Sequence, residues 1–405
     1  MVVRRVPTWS ALRPFVQFKQ PSIFNRRARY AQALTIWDLR AIARSRTPRL
    51  AFDYTDGAAE AEIGLDRARR TFQDLEFRPR ALRDVSSVQL STTVAGRLSA
   101  LPFGIAPIGL TRLMHTEGEL AGVGAAAKFG IPYTLSTMGT VSLEEVAAAA
   151  PDARRWFQLY LWKDRQKSVA LVERAEKAGY DTLVLTVDTA AGGLRLRDLR
   201  NGMTIPPRLT ARTVIDASRR PGWWFNFITT TPMAFASLDR HPGSIQTLIN
   251  EMFDPTLSIN DLSWLRNLWK GKLVVKGIQT VDDALICADQ GADAVWLSSH
   301  GGRQLDRGPR LLSLLPIVAQ ALTGSGAEIY LDTGVLTGGD IVAAHALGAD
   351  FVFIGRAYLY GLMAGGQAGA ERAIEILRDD VMRTLQLLGV RTISDLSSDY
   401  VNIPQ

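Results

Sequence analysis

The segment from Ser298 to Asp306, with the sequence SSHGGRQLD, carries residue types that can do chemistry. It places the imidazole of His300 three residues before the guanidinium of Arg303, in a turn that contains two adjacent glycines. An imidazole can accept a proton near neutral pH, and a guanidinium can hold a carboxylate or phosphate by two parallel hydrogen bonds. A lone histidine is more often a hydrogen-bonded structural residue, but this combination favours an active site that binds an anion.

The surrounding sequence indicates which elements position this segment. Ala294–Leu297 is a short apolar run typical of a buried strand, so the polar segment follows the carboxyl end of a strand. Such runs recur along the chain with helical patterns between them, which implies parallel pairing and predicts an α/β fold, a closed (β/α)8 TIM barrel. The eight predicted strands are Phe103–Ala106, Tyr133–Ser136, Trp156–Tyr160, Leu183–Val187, Leu273–Lys276, Val295–Ser298, Ile329–Asp332 and Phe351–Gly355.

Two regions flank or interrupt the barrel pattern. Residues 1–95 form a predicted N-terminal extension and helical cap, which includes helices over Ile36–Ala43 and Arg49–Tyr54. The barrel should occupy residues 96–389, with a long insertion after strand four at about 190–270, because that gap is too long for one helix. Residues 390–405 are a predicted C-terminal tail.

The polar residues at the predicted strand ends should converge, because the chemistry of barrel enzymes lies at the carboxyl ends of the strands. Backbone amides and an arginine after strands seven and eight form the usual phosphate site of this fold, so a phosphate-bearing cofactor is expected. The strand-end residues are Gln158, Tyr160, Thr186, Asp188, Lys276, Ser298, His300, Arg303, Asp332, Gly334, Gly355 and Arg356.

Segment 298–304 resembles the Ser-Asn-His-Gly-(Ala/Gly)-Arg-Gln motif of the FMN-dependent 2-hydroxy acid dehydrogenases and oxidases. The similarity runs from about Leu34 to Gly389 and points to the lactate-dehydrogenase-like members from actinobacteria. Ser299 departs from the motif, where the family usually has asparagine. The resemblance implies FMN as the cofactor and an (S)-2-hydroxy acid as the substrate.

The resemblance also implies the cofactor contacts. Lys276 matches a lysine beside N1 and O2 of the flavin, where a cation stabilises the anionic reduced ring. Leu336 stands where many relatives have a phosphate-binding arginine, so phosphate affinity should depend more on Arg356 and the backbone. The other matched positions are Ala106, Pro107, Ile108 and Gly109 behind the flavin, Ser136, Gln158 and Thr186 at the isoalloxazine ring, Ser298 nearby, and Asp332, Gly334, Gly355 and Arg356 at the ribityl and phosphate groups.

By the same resemblance, His300 takes a proton from the 2-hydroxyl group or the α-carbon, and Asp188 holds its imidazole. Two alternatives stay open: Tyr54 could only pack the cap on the barrel, and Arg195 and Arg197 could be solvated loop charges, because Leu196 replaces a glutamate common between them. The implied catalytic set is His300, Asp188, Tyr160, Arg303 and Lys276. The implied substrate contacts are Tyr54, Tyr160, Arg195 and Arg303, with Gly109 and Met138 beside the substrate side chain, where a glycine leaves room that an alanine would fill.

The charge of the chain favours anionic partners, with a formal net charge of +7 and a pI near 9.6. Basic residues beside aromatics suit an anionic membrane surface, and no nucleic-acid-binding motif accompanies them. No apolar run reaches the ~18 residues that span a bilayer, and the lone Cys287 makes no intramolecular disulfide. We therefore expect a cytoplasmic protein with peripheral contact to the inner face of the cell membrane, and no metal site. The expected contact is through the three consecutive aromatics Trp223–Phe225, which four arginines flank: Arg208, Arg212, Arg219 and Arg220.

These observations predict oxidation of L-lactate to pyruvate, with electrons passed to a quinone or another respiratory acceptor. One alternative is the same flavin chemistry on a bulkier substrate, L-pantolactone or mandelate. Another is a flavin-binding, membrane-associated protein without catalysis. The family resemblance further implies a homo-oligomer, either a tetramer or an octamer.

Overall fold

The computed structural model describes residues 8–13, 26–202, 215–216, 218–231, 235–236 and 253–404. Eight strands close into a parallel barrel, so the predicted fold class is confirmed. Each strand is predominantly buried, because helices cover the outside and packed side chains fill much of the inside. The strands are β1 (Phe103–Ile108), β2 (Tyr133–Ser136), β3 (Arg155–Leu159), β4 (Thr182–Thr186), β5 (Lys272–Ile278), β6 (Ala294–Leu297), β7 (Glu328–Leu331) and β8 (Phe351–Ile354).

Helices alternate with the strands, and three of the longer ones precede the barrel as the cap, after two short helices at Trp9–Leu12 and Arg26–Ala31. Capping boxes begin several helices, for example Thr35 with Asp38 and Thr337 with Asp340. The third cap helix, α3, was not predicted from the sequence. The longer helices are α1 (Ile36–Arg46), α2 (Arg49–Asp56), α3 (Ile63–Asp74), α4 (Gly118–Phe129), α5 (Leu143–Ala149), α6 (Arg165–Lys177), α7 (Pro221–Thr229), α8 (Ile259–Leu268), α9 (Val281–Asp289), α10 (Leu311–Ala321), α11 (Gly338–Ala346) and α12 (Arg356–Leu388).

Aromatic side chains fill part of the barrel interior. The rings of Trp296 and Phe353 stack with their centroids 3.9 Å apart, and Trp156 and Tyr330 pack around them. These four side chains are fully buried. Because Phe353 also lines the large cavity described below, this aromatic layer forms part of the floor of the cavity.

The chain leaves the barrel between β4 and β5, as the predicted insertion requires. The described part of this insertion contains a short helix, Leu196–Arg200, together with α7 and α8. Arg208 and Arg212 lie outside the described residues. Within the described ranges, none of the helices combines the length and apolar character needed to cross a bilayer.

The end of the chain is paired with the cap region. Val401–Asn402 forms an antiparallel pair with Glu76–Phe77, which directly follows α3. The predicted C-terminal tail is therefore held against the segment that links the cap to the barrel.

Candidate active site

A cavity of about 1080 Å³ opens at the carboxyl ends of the barrel strands. Its walls come from the strand ends, from the cap helices and from the insertion after β4. Four predicted site residues lie at the strand ends but are not part of the cavity lining: Gln158, Thr186, Asp188 and Ser298. The predicted residues that line it are Tyr54, Ala106, Pro107, Ile108, Gly109, Ser136, Met138, Tyr160, Arg195, Lys276, His300, Arg303, Asp332, Gly334, Gly355 and Arg356.

His300 is held between a carboxylate and a phenol. Its Nδ1 lies 3.0 Å from Oδ1 of Asp188, and its Nε2 lies 3.4 Å from the hydroxyl group of Tyr160. Burial opposes ionisation of Asp188, but His300 and Lys276 hold the pKa of that carboxyl below its usual value. An ionised carboxylate at Nδ1 stabilises a protonated imidazole and leaves Nε2 free to exchange a proton in the cavity. The pair can therefore act as a general base.

The backbone around His300 is strained in a way that fits a functional turn. His300 has a φ of 56°, in the left-handed region that a residue with a Cβ rarely adopts. Gly301 follows with a φ of 67°, and a Cβ there would lie 2.8 Å from Nη1 of Arg356. The hydroxyl group of Ser298 accepts a hydrogen bond from the His300 N–H at 3.0 Å. The two glycines of the segment thus let the backbone of the turn approach Arg356 at Gly301 and Leu65 of the cap at Gly302.

Lys276 is a buried cation at the end of β5. Its Nζ donates to the hydroxyl group of Ser298 at 2.9 Å and lies 3.4 Å from Oδ2 of Asp332. A buried ammonium group is costly unless it is paired. Both partners come from neighbouring strand ends, so the lysine is fixed at the wall of the cavity and can stabilise negative charge there.

Two arginines share one aromatic ring at the cavity wall. The guanidinium carbons of Arg303 and Arg195 lie 4.5 Å and 5.7 Å from the ring centre of Tyr54. Burial, together with the charge of Arg195, lowers the pKa of Arg303 to about 10. The Nη1 of Arg303 donates to the Tyr54 and Gly57 carbonyls, whereas its Nη2 is buried and has no partner. Two adjacent cations with an unused donor make a site for a carboxylate.

This geometry bears on both alternatives that the sequence left open, the role of Tyr54 and the roles of Arg195 and Arg197. Tyr54 packs against the core and also lines the cavity, so it contributes to both the cap and the site. Arg197 is not a solvated loop charge, because it forms ion pairs with Asp56, at 3.0 Å, and with Glu62. These pairs join the loop that carries Arg195 to the cap.

Polar atoms without partners indicate where a polar ring can bind. Gln158 Nε2 and Thr186 Oγ1 are buried at the ends of the adjacent strands β3 and β4, and neither has a hydrogen-bond partner. The hydroxyl group of Ser136 donates to Gln158 Oε1 at 2.9 Å. Buried polar groups are nearly always satisfied, and Ser136 beside Gln158 lines the cavity, so a ligand with complementary hydrogen-bonding edges is expected there. The edge of a flavin ring supplies both donors and acceptors and fits this demand.

The end of the cavity after β7 and β8 is suited to a phosphate group. Gly334, with a φ of 92°, and Gly355 follow the two strands and line the cavity. Arg356 donates three hydrogen bonds to backbone carbonyls, those of Thr55 at 3.0 Å, Gly57 at 2.7 Å and Gly301 at 2.9 Å. A guanidinium has five N–H groups, so two remain for an anion.

Arg69 also lines this end of the cavity, although it is not among the residues predicted from the sequence. It lies on α3 and donates to the carbonyl of Gly334 at 2.6 Å. The amphipathic spacing of Ile63–Asp74 would have revealed the helix. Nothing in the sequence distinguishes Arg69 from its neighbours Arg67 and Arg70, because only the packing of α3 on the barrel decides which one faces the cavity.

The expected role of Gly109 needs correction. A Cβ at Gly109 would lie 2.7 Å from the Cβ of Met138, and the backbone oxygen of Met138 accepts a hydrogen bond from Leu110 N–H at 3.0 Å. The glycine is therefore required by the close approach of two loops, and it does not leave free volume for a substrate. Its effect on pocket size acts through the position of Met138.

Comparison with known proteins identifies the group to which these residues belong. The chain matches the family model described as FMN-dependent dehydrogenase over residues 43–403. It is 56% identical over 400 residues to a candidate L-lactate dehydrogenase of Mycobacterium tuberculosis, covering 99% of this chain and 96% of that protein. It is 40% identical over 372 residues to an L-lactate dehydrogenase of Xanthomonas campestris, covering 90% and 96%.

A solved structure shows the same architecture. The crystal structure of the monotopic membrane protein (S)-mandelate dehydrogenase superposes with a TM-score of 0.88 at 38% identity, covering 92% of this chain and 100% of the other. The unpartnered groups of Gln158 and Thr186, the phosphate-type end of the cavity and the family match agree on FMN as the cofactor. The chain belongs to the FMN-dependent dehydrogenase family.

Proposed function

We propose that this enzyme oxidises an (S)-2-hydroxy acid at the cavity, with L-lactate as substrate and pyruvate as product. The observation that carries the proposal is the arrangement of a base, His300 with Asp188, beside two arginines that share the ring of Tyr54. Oxidation of a hydroxy acid requires a group that accepts a proton and a site that binds the carboxylate, and this arrangement places the two side by side. The two L-lactate dehydrogenases among the relatives support the choice of lactate.

Each residue has a proposed part in the reaction. Arg303 and Arg195 hold the substrate carboxylate, with Tyr54 beside them, and Tyr160 contacts the substrate hydroxyl or carboxylate group. His300 takes the proton at Nε2, and Asp188 stabilises the resulting charge on the imidazole. FMN, when bound, accepts the two electrons of the oxidation. Lys276 provides the positive charge that favours the reduced cofactor.

The residues proposed to hold FMN divide between its two ends. The ring end is formed by strand-end residues of β1 to β6, and the phosphate end by the turns after β7 and β8. The residues are Ala106, Pro107, Ile108, Gly109, Ser136, Gln158, Thr186, Lys276 and Ser298 at the ring, with Asp332, Gly334, Gly355 and Arg356 at the ribityl and phosphate groups.

A bulkier substrate, mandelate or L-pantolactone, is the second candidate. Apolar side chains of Met114, Leu194, Leu199 and Phe253 also line the cavity, and the similar solved structure is a mandelate dehydrogenase. Pantolactone has no free carboxylate, so it would leave the paired arginines without a partner. We therefore rank L-pantolactone below L-lactate and mandelate as a substrate. The presence of the base, the arginines and Lys276 together argues against a non-catalytic flavin protein.

Steady-state rates on a substrate panel test this proposal. The panel contains L-lactate, D-lactate, (S)-mandelate and L-pantolactone, with a dye as electron acceptor. We expect the highest kcat/KM for L-lactate and no turnover of D-lactate. A higher kcat/KM for pantolactone than for either acid would contradict the carboxylate site.

We propose that the electrons pass to a membrane quinone and that the insertion after β4 touches the bilayer. The solved mandelate dehydrogenase is described as a monotopic membrane protein, which supports a peripheral position. On α7, Phe225 and Ile228 are 65% and 70% exposed. Trp223, expected at the membrane, instead donates from Nε1 to the carbonyl of Leu113 at 3.2 Å. We propose that contact through Phe225 and Ile228 replaces the predicted contact through three consecutive aromatics.

We also propose that the protein is a homo-oligomer, a tetramer or an octamer. Light scattering can measure the mass of the assembly.

A further inference from the structure

Two buried carboxylates lie close together in sequence near the phosphate end of the cavity: Asp332 lines the cavity, and Asp340 stands in the first turn of α11. Asp332 and Asp340 are 7% and 5% exposed, and both belong to the segment that follows β7. Asp332 is paired with Lys276. Asp340 accepts hydrogen bonds from the N–H groups of Leu336, at 2.8 Å, and Thr337, at 2.9 Å, so its charge is fixed at the turn. A phosphate dianion entering this turn would be repelled by a carboxylate that had no cation beside it.

Arg69 is that cation. Its Nη1 lies 2.5 Å from Oδ2 of Asp340 and 2.6 Å from the carbonyl oxygen of Gly334, and its Nη2 lies 3.3 Å from Oδ1 of Asp340. The side chain is 17% exposed and lines the cavity. Its Nε is buried and has no partner.

The turn itself offers no other charge of this sign. Val335 and Leu336 are its buried side chains at the cavity, and both are apolar. Arg356, which follows β8, already donates three hydrogen bonds to backbone carbonyls. Arg69 lies beside the turn after β7 and has N–H groups that are not bonded to the protein. It can therefore affect how tightly the site binds a phosphate group.

We propose that Arg69, a residue of the cap and not of the barrel, is a determinant of FMN affinity that acts on the phosphate group. It neutralises Asp340 and presents its remaining donors to the phosphate end of the cavity. This inference rests on the proposed position of the FMN phosphate at the turns after β7 and β8. It also gives the cap a part in cofactor retention, because displacement of α3 would withdraw the charge.

Binding of FMN and riboflavin to the same full-length chain tests the proposal, because riboflavin lacks only the phosphate. FMN dissociation is measured by flavin fluorescence on dilution of the holoenzyme, and riboflavin binding by titration after FMN removal. We expect Arg69→Met to weaken FMN binding by about 10- to 100-fold, the loss typical of one charge-assisted group, with riboflavin binding changed by less than about 3-fold. Arg70→Met, on the exposed side of α3, is the matched control and should leave both affinities unchanged.

A second variant replaces the positive charge of Arg69 with an arginine in the turn after β7, on the barrel. Arg69→Met with Leu336→Arg should recover most of the FMN affinity, because position 336 lines the same end of the cavity. If Arg69→Met does not fold, Arg69→Lys keeps the charge and should weaken FMN but not riboflavin. Equal losses for FMN and riboflavin would overturn the proposal and leave Arg69 as a packing residue of the cap. Unchanged FMN binding would also overturn it. Neither readout depends on turnover, so a wrong substrate assignment would not affect the result.

Discussion

Arg303 shows how burial prepares a single side chain for binding. Its guanidinium is desolvated and lies next to Arg195, and the result is a pKa of about 10 and an Nη2 without a partner. The cost of keeping this charge is offset in part by the face of Tyr54 and by two backbone carbonyls. A bound carboxylate would satisfy the remaining donor and relieve the repulsion between the two arginines.

A lysine cannot replace Arg303 in this role, because an ammonium group does not reproduce a planar two-point contact. We predict that Arg303→Lys raises KM for L-lactate and lowers kcat/KM by about 10- to 100-fold, with FMN content unchanged. Steady-state kinetics measure both constants. The matched control is Arg310→Lys, at an exposed position of the same loop region. Wild-type kcat/KM for Arg303→Lys would remove this arginine from the substrate site.

At the scale of elements, α7 shows why three consecutive aromatics cannot share one surface. A helix turns about 100° per residue, so Trp223 and Phe227 lie on one face and Phe225 and Ile228 on the other. Trp223 and Phe227 stack at 4.8 Å, and Trp223 is bonded to the barrel at Leu113. The inner face thus attaches the insertion to the barrel, and the outer face remains exposed.

We predict that the outer face of α7 determines membrane binding. Phe225→Ser with Ile228→Ser should weaken sedimentation with anionic vesicles by at least about 10-fold, since each apolar side chain contributes roughly 1.5–3 kcal/mol when removed from water. Leu387→Ser, which changes a residue 72% exposed on α12, is the control and should bind as wild type does. Equal binding by the double variant, or no binding by the wild type at low salt, would contradict a membrane role for α7.

At the scale of the whole molecule, a network of charges joins the cap, the insertion and the barrel. Asp56 of the cap is paired with Arg40 at 2.6 Å and with Arg197 of the insertion at 3.0 Å, and it accepts a hydrogen bond from Tyr360 of α12 at 2.8 Å. Burial opposes ionisation of Asp56, but these partners, Arg40 foremost, lower its pKa. The network therefore holds Arg195 and Tyr54 over the cavity.

This lowered pKa makes a prediction about stability and pH. A carboxyl whose pKa is lower in the folded state stabilises the protein above its unfolded pKa of about 3.9, and this stabilisation is lost as the pH falls through the folded pKa. We expect Asp56→Asn to lower the free energy of unfolding by about 1–3 kcal/mol at neutral pH, and the difference from wild type to shrink below about pH 4. Thermal unfolding of the holoenzyme at several pH values measures this, with the exposed Asp399→Asn as control. A difference that stays constant into acid would contradict it.

The barrel and the positions of the strand-end residues could be predicted from the sequence because both depend on local patterns. Apolar runs mark the strands, and the residue after each run must lie at the strand end, which places His300 and Lys276. What could not be predicted depends on contacts between distant segments. The packing of α3 decides that Arg69 faces the cavity, and the approach of two loops decides that Gly109 contacts Met138.

The role of His300 as the base is tested most directly by anaerobic reduction of the bound FMN by L-lactate. The reduction is measured as the loss of flavin absorbance, in the wild type and in His300→Gln. We expect rapid loss in the wild type. We expect His300→Gln to bind FMN normally but to be reduced about 10²- to 10⁴-fold more slowly, the usual effect of removing a general base. Reduction of the variant at the wild-type rate, or a wild-type flavin that no 2-hydroxy acid reduces, would contradict these expectations.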